Sequence, residues 1–168
     1  MRSIKYILIG VLIAMSQVVI GSESDSSESG DQWKLLEVKS KEYEEVWFFR
    51  KSMNAPKAKK KDQLATLVYF TVEYTPRDPS GLPNKKDAEL LYSFEEEVIP
   101  EVEKEANCLM VASVVKGGIK DHLFYVSDPE KFLSSIGKYK SKLANLSVSL
   151  EKVDDPEWEV YADFPDGK

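Results

Sequence analysis

The stretch Leu64 to Tyr74, LATLVYFTVEY, constrains the fold most. It alternates with period two: Leu64, Thr66, Val68, Phe70, Val72 and Tyr74 take one face, and Ala65, Leu67, Tyr69, Thr71 and Glu73 the other. The second set turns polar along its length, which predicts a strand with one face on a core. Its β-branched and aromatic residues favour the same state. A chain with such a strand must build a sheet beside it.

The segments on either side supply that sheet. Trp33 to Val38 and Tyr43 to Arg50 read as two strands joined by a polar turn over Lys39 to Glu42. Cys108 to Lys116 and Ile119 to Val126 flank Gly117-Gly118, and paired glycines supply the positive φ that a tight hairpin turn needs. Leu146 to Val153 alternates again, with Leu146, Val148 and Leu150 on one face.

Helices fall between these strands. Leu91, Phe94, Val98 and Val102 recur at helical spacing within Asp87 to Ala106, and Pro100 predicts a kink or a break there. Ser127-Asp128-Pro129-Glu130 has the composition of a helix start, followed by the stripe Phe132, Leu133, Ile136, Tyr139 and Leu143. Asp154-Asp155-Pro156-Glu157 predicts a last short helix, with Asp155 as cap, Pro156 as first residue, and Trp158, Tyr161 and Phe164 along one side. From Leu64 onward the order is strand, helix, strand, strand, helix, strand. The expected fold is therefore α+β: a ferredoxin-like β-α-β-β-α-β sandwich with an extra N-terminal β-hairpin and a short C-terminal helix.

Upstream of this domain, taken as residues 32–168, the composition changes twice. Arg2 and Lys5 precede the run YILIGVLIAMSQVVI, and Gly21 and Ser22 follow at a small-residue junction. This is the pattern of a secretory signal over residues 1–21, cleaved between Gly21 and Ser22. The run is short for a membrane span, so the alternative is an uncleaved anchor over residues 4–20. Ser22 to Asp31, SESDSSESGD, holds no apolar residue and reads as an acidic, Ser-rich disordered linker over residues 22–31.

Charge and cysteine usage exclude some functions. The net charge is −6, and removal of residues 1–21 takes two positive charges and no acid with it. Such a chain is a poor match for nucleic acid, whose phosphates select basic surfaces. Membrane contact is expected only if the N-terminal segment stays uncleaved. The basic loop Ser52 to Asp62, with Lys57 to Lys61 inside it, reads as a solvated connection because no aromatics interleave its charges. The one cysteine, Cys108, has no disulfide partner within the chain.

No stretch carries recognisable chemistry. His122 is the only histidine, so a multi-histidine metal site is ruled out, and it reads as a structural strand residue that could otherwise act as a general base. Cys108 begins an apolar strand and reads as a small buried hydrophobe. Glu95, Glu96, Glu97 and Glu101 crowd one helix, and Glu97 and Glu101 are spaced to share a face for a cation or for acid–base work. No catalytic residue, cofactor or metal is expected from these patterns. Asn145-Leu146-Ser147 has the form of a glycosylation sequon. The string DDPEWEVYADFP offers Asp155, Glu157, Trp158 and Tyr161 either as packing or as a platform for an unknown protein or small ligand.

That closing string also carries a resemblance. Asp155-Pro156-Glu157-Trp158, Tyr161 and Phe164-Pro165 resemble the C-terminal signature of an uncharacterised bacterial family, domain of unknown function 695. Trp33, Gly81-Leu82-Pro83 and Phe124-Tyr125 match at further points, so the resemblance runs from about Trp33 to Pro165. It implies no catalytic residues, because the family has no established activity. Some members are similar in architecture to, or joined with, a domain that inhibits ribonuclease E. The resemblance thereby implies a second expectation, a regulator of a ribonuclease acting by protein contact in the cytoplasm. The leading expectation is an exported, acidic, single-domain binding protein, periplasmic or secreted, without enzymatic activity. A third is a hydrolase or metal-dependent enzyme using Glu97, Glu101, His122 or Asp155.

Overall fold

The computed structural model describes residues 32–39, 46–143 and 146–165. The signal and its Gly21–Ser22 junction, the acidic linker, most of the first turn and Asn145 lie outside the described residues. Six strands form one antiparallel sheet: β1 (Trp33–Lys39), β2 (Val46–Ser52), β3 (Thr66–Glu73), β4 (Cys108–Lys116), β5 (Ile119–Val126) and β6 (Ser147–Asp154). Their spatial order is β1-β2-β4-β5-β3-β6, with every neighbouring pair antiparallel. The helices are α1 (Lys85–Glu97), α2 (Ile99–Ala106), α3 (Pro129–Gly137) and α4 (Glu159–Asp163).

The sheet is buried on both faces. Val68, Phe70 and Val72 of β3 pack with Phe124 and Val126 of β5 against Leu91, Phe94, Val102, Phe132 and Ile136 from α1, α2 and α3. On the opposite face Leu67, Leu123 and Tyr125 pack with Phe49, Trp158, Tyr161 and Phe164. The one-sided strand expected from Leu64 to Tyr74 is therefore corrected. The strand starts at Thr66, and Leu64 lies before it and joins the second core. Leu67 and Tyr69 mark the second buried face, and the polar Thr71 and Glu73 that follow them on it mask the signal. A bulge in β4 between Met110 and Ala112 helps fill that core, since it sends both Val111 and Ala112 to the second face.

The helix ends follow their caps. Asn84 accepts a hydrogen bond from the Asp87 backbone N–H at 3.0 Å, so α1 begins at Lys85, two residues ahead of expectation. Asp128 accepts from the N–H groups of Glu130 and Lys131, with Pro129 first in α3, as expected. Pro100 resolves as a break: α1 ends at Glu97, and α2 starts at Ile99 with proline in its first turn. Two stripe residues do not pack. Leu133 of α3 is exposed, and so is Leu150 of β6, an edge strand with a mostly polar surface.

The Gly117-Gly118 turn joins β4 to β5 with φ of 52° and 86°. Gly81, at φ 79°, lies against it: the Gly118 N–H donates to the Gly81 carbonyl, and so does the Tyr74 hydroxyl, at 3.1 and 2.8 Å. A Cβ at Gly81 would sit 2.7 Å from the Gly117 nitrogen. Gly81→Ala is therefore expected to destabilise by roughly 2 kcal/mol or more, from left-handed strain plus this backbone clash. A urea denaturation midpoint equal to wild type would refute this.

Candidate functional site

Two side-chain clusters stand out, one on each face of the sheet. The first gathers three of the four residues singled out near the C-terminus. The Asp155 carboxylate accepts hydrogen bonds from the Glu159 and Val160 N–H groups at 2.9 and 3.1 Å, and from the Tyr125 hydroxyl. Burial, and then the Asp155 carboxylate, push the Tyr125 phenol up from its ordinary value. Trp158 stacks on Tyr125 with ring centroids 4.0 Å apart and planes 7° from parallel, and its indole N–H donates to the Leu64 carbonyl at 2.8 Å. Tyr161 donates its hydroxyl to the Ser52 carbonyl at 2.6 Å. Lys51 Nζ donates to the Phe164 carbonyl at 2.8 Å.

This geometry departs from the sequence expectation at the helix start. Asp155 caps, but α4 begins at Glu159 and not at Pro156. Trp158 precedes the helix in the left-handed region, at φ 62°. A bulky aromatic residue rarely adopts that conformation. Here the stack, the indole hydrogen bond and the cap hold it there. Trp158, Tyr161 and Asp155 are 2%, 7% and 7% exposed, so their surfaces are spent on the second core. Glu157 is exposed and stands apart from them.

The second cluster centres on Glu95 of α1, over β5 and β2. His122 Nε2 and Lys120 Nζ lie 3.0 and 2.9 Å from Glu95 Oε1, and Arg50 approaches Oε2 at 3.4 Å. The Nε2–Oε1 contact is short but not aligned as a linear hydrogen bond. His122 Nδ1 is 3.3 Å from the Phe70 carbonyl oxygen, and the ring is fully buried beside the stacked Phe70 and Phe94 rings. Burial alone would raise the Glu95 carboxyl; His122, and then Lys120, outweigh it and hold it at about 2. The sheet register explains the convergence. Leu35, Arg50, Ser113, His122, Phe70 and Leu150 form one cross-strand row.

Glu95 was one of several acids in the sequence reading, and its pairing with His122 went unseen. A signal was present. Glu95 lies four residues after Leu91 and three before Val98, on the stripe of α1 that faces the core. A carboxylate on that stripe needs polar or cationic partners, and His122, Lys120 and Arg50 converge on it from two strands. The expected Glu97–Glu101 pair is not formed on one helix, because the break at Val98 puts them on α1 and α2. Glu97 instead binds Lys142 at 3.0 Å and Ser93 at 2.8 Å. Among the described residues no group of three or more His, Cys, Asp or Glu side chains could hold a metal ion.

The remaining named residues divide between packing and solvent. In the basic loop Lys60 donates to the Cys108 carbonyl at 2.6 Å, and Lys61 lies over the Trp158 ring. Lys57 and Lys59 face solvent. The Cys108 thiol is buried, and burial, helped by Glu103, pushes it up to about 12. It is therefore expected to resist alkylation in the native state, reacting only as fast as the protein opens. Rapid labelling by iodoacetamide without denaturant would contradict this. Among the described residues no helix is long and apolar enough to cross a membrane.

A model of a family of unknown function, DUF695, matches residues 31–164. No curated protein and no solved structure matches the chain.

Proposed function

The chain belongs to the DUF695 family, whose function is unknown, and from that premise we propose that it is an exported binding module without enzymatic activity. One observation carries this reading. The side chains best suited to chemistry are committed to holding the fold: Asp155 as cap, Tyr125 on Asp155, and Glu95 with His122 inside the first core. The N-terminal signal pattern supports export to the periplasm or the exterior. The fold supports a finer reading as well. The order β4-β5-β3-β6, with β5 and β3 central, is what a ferredoxin-like unit requires, and β1 and β2 then extend it as an added hairpin.

Intact mass of the protein recovered from fractionated host cells tests this reading. A species beginning near Ser22 in the exported fraction is the expected result. A soluble full-length species in the cytoplasm would overturn export and turn attention to ribonuclease regulation. A second reading, acid–base or metal-dependent hydrolysis, is favoured only by the Glu95–His122 contact. Its metal-dependent form requires divalent cations to raise the melting temperature of wild type and not of His122→Gln.

A further inference from the structure

Arg50, where β2 meets α1, carries an inference that rests on the reading of this chain as a binding module. The register puts Leu35 directly across from Arg50 on the first face of the sheet, with Trp33 and Phe48 one row to either side. The guanidinium is fixed from two directions. It lies 4.3 Å over the Trp33 ring, and its Nη1 donates to Glu95 Oε2 at 3.4 Å. Glu95 is itself anchored, because Lys120 Nζ and His122 Nε2 both lie against its other oxygen, Oε1. A guanidinium carries five N–H donors in a planar fork. Here Nη1 is committed, while Nε and Nη2 meet no acceptor among the described residues. The Arg50 side chain is nevertheless 35% exposed. An arginine already stacked and tethered loses little rotamer freedom when a ligand arrives.

We propose that Arg50 anchors a binding site for a small organic monocarboxylate with an apolar body. The planar fork matches the two oxygens of a carboxylate. Leu35, which is 46% exposed, and the half-buried Trp33 and Phe48 border the guanidinium and offer apolar surface for the body to cover. An inorganic anion gains nothing from that border. Glu37 stands on the same face, in the Phe48 row, so a second negative charge on the ligand is opposed there. The helix supplies a wall. It lies over β3 and β5, where Phe94 stacks on Phe70 and Glu95 meets Lys120 and His122, and Glu95 reaches out to β2 at Arg50. Beyond it β2 and β1 continue the sheet as a floor.

Isothermal titration calorimetry of the purified full chain with phenylacetate and with octanoate tests this. At least one is expected to bind saturably at one site, with Kd below about 1 mM. Phenylacetamide and octanamide keep the body and lose the charge, and are expected not to bind. Sodium sulfate keeps charge and loses the body, and is expected to bind at least about tenfold more weakly. Arg50→Gln is expected to weaken binding at least about tenfold, through lost charge-assisted hydrogen bonds. Thermal melts check that the variant is folded. Should Arg50→Gln unfold, Leu35→Asp, an exposed change that sets a carboxylate across from the guanidinium, is expected to weaken binding by the same factor. The proposal is overturned if neither acid binds, or if sulfate or an amide binds as tightly as its acid. It is overturned equally if the folded variant binds within about twofold of wild type. An exported chain that binds neither acid ends this proposal and leaves the binding-module reading standing. A full-length cytoplasmic species ends export, and the calorimetry still decides on Arg50.

Discussion

Trp158→Ala is expected to lower unfolding free energy by about 3–5 kcal/mol. The ring is almost wholly buried, stacked on Tyr125 and bonded through its indole N–H to the Leu64 carbonyl. Its removal leaves a cavity in the second core and an unpaired carbonyl beneath it. The backbone adds a discriminating test. At φ 62° glycine is the residue least strained, so Trp158→Gly is expected to be no worse than Trp158→Ala, against the usual order inside folded elements. Paired urea titrations measure both. A wild-type midpoint in either variant would remove the packing role of the ring and favour a ligand contact.

Glu95→Ala is expected to be comparably damaging, by about 3–5 kcal/mol, because it leaves Lys120 and the buried His122 ring without the carboxylate they converge on. Replacing Glu95 and His122 together by apolar residues of similar volume is expected to recover much of the loss, since buried ionic clusters contribute little beyond what good apolar packing gives. The pH dependence has a definite sign. The folded carboxyl is held at about 2 against an ordinary value of 4.5, so its contribution is complete above 4.5 and disappears as pH falls through about 2. That displacement corresponds to roughly 3 kcal/mol. In Glu95→Gln this part of the acid limb is expected to be absent. Equal acid sensitivity in wild type and Glu95→Gln, followed by circular dichroism, would refute the assignment.

Local chemistry made much of this fold legible. The Gly117-Gly118 turn, the Asp128-Pro129 start of α3 and the break at Pro100 each depend on a few adjacent residues, and each stands where the sequence placed it. What escaped depends on contacts remote in the chain. Leu67 gave no hint of a second buried face, because the residues that cover it, Trp158 and Phe164, lie far along the chain. The α4 helix starts late because the stack on Tyr125 holds Trp158 out of it, overriding the proline signal at Pro156. His122 and Glu95 are written on a strand and a helix, and their pairing is set by the way α1 crosses the sheet. Counting residues from Leu91 to Glu95 would have placed the carboxylate against the sheet, but not named its partner.

The position of the 155–164 segment has a consequence for how the chain is made. A polypeptide delivered from its N-terminus, whether from a ribosome or through a translocation channel, presents β2, β3 and β5 well before Trp158, Tyr161 and Phe164. The first core, built from α1, α2 and α3, can assemble on one side of the sheet during that interval. The other side then holds Leu67, Leu123 and Tyr125 open to water until the late segment arrives to cover them. Slowing or halting delivery before residue 158 would produce a half-covered sheet, the kind of intermediate that holding chaperones engage and that aggregates when they do not. Early termination therefore affects more than the lost residues, since it leaves the rest of the chain waiting for its second wall.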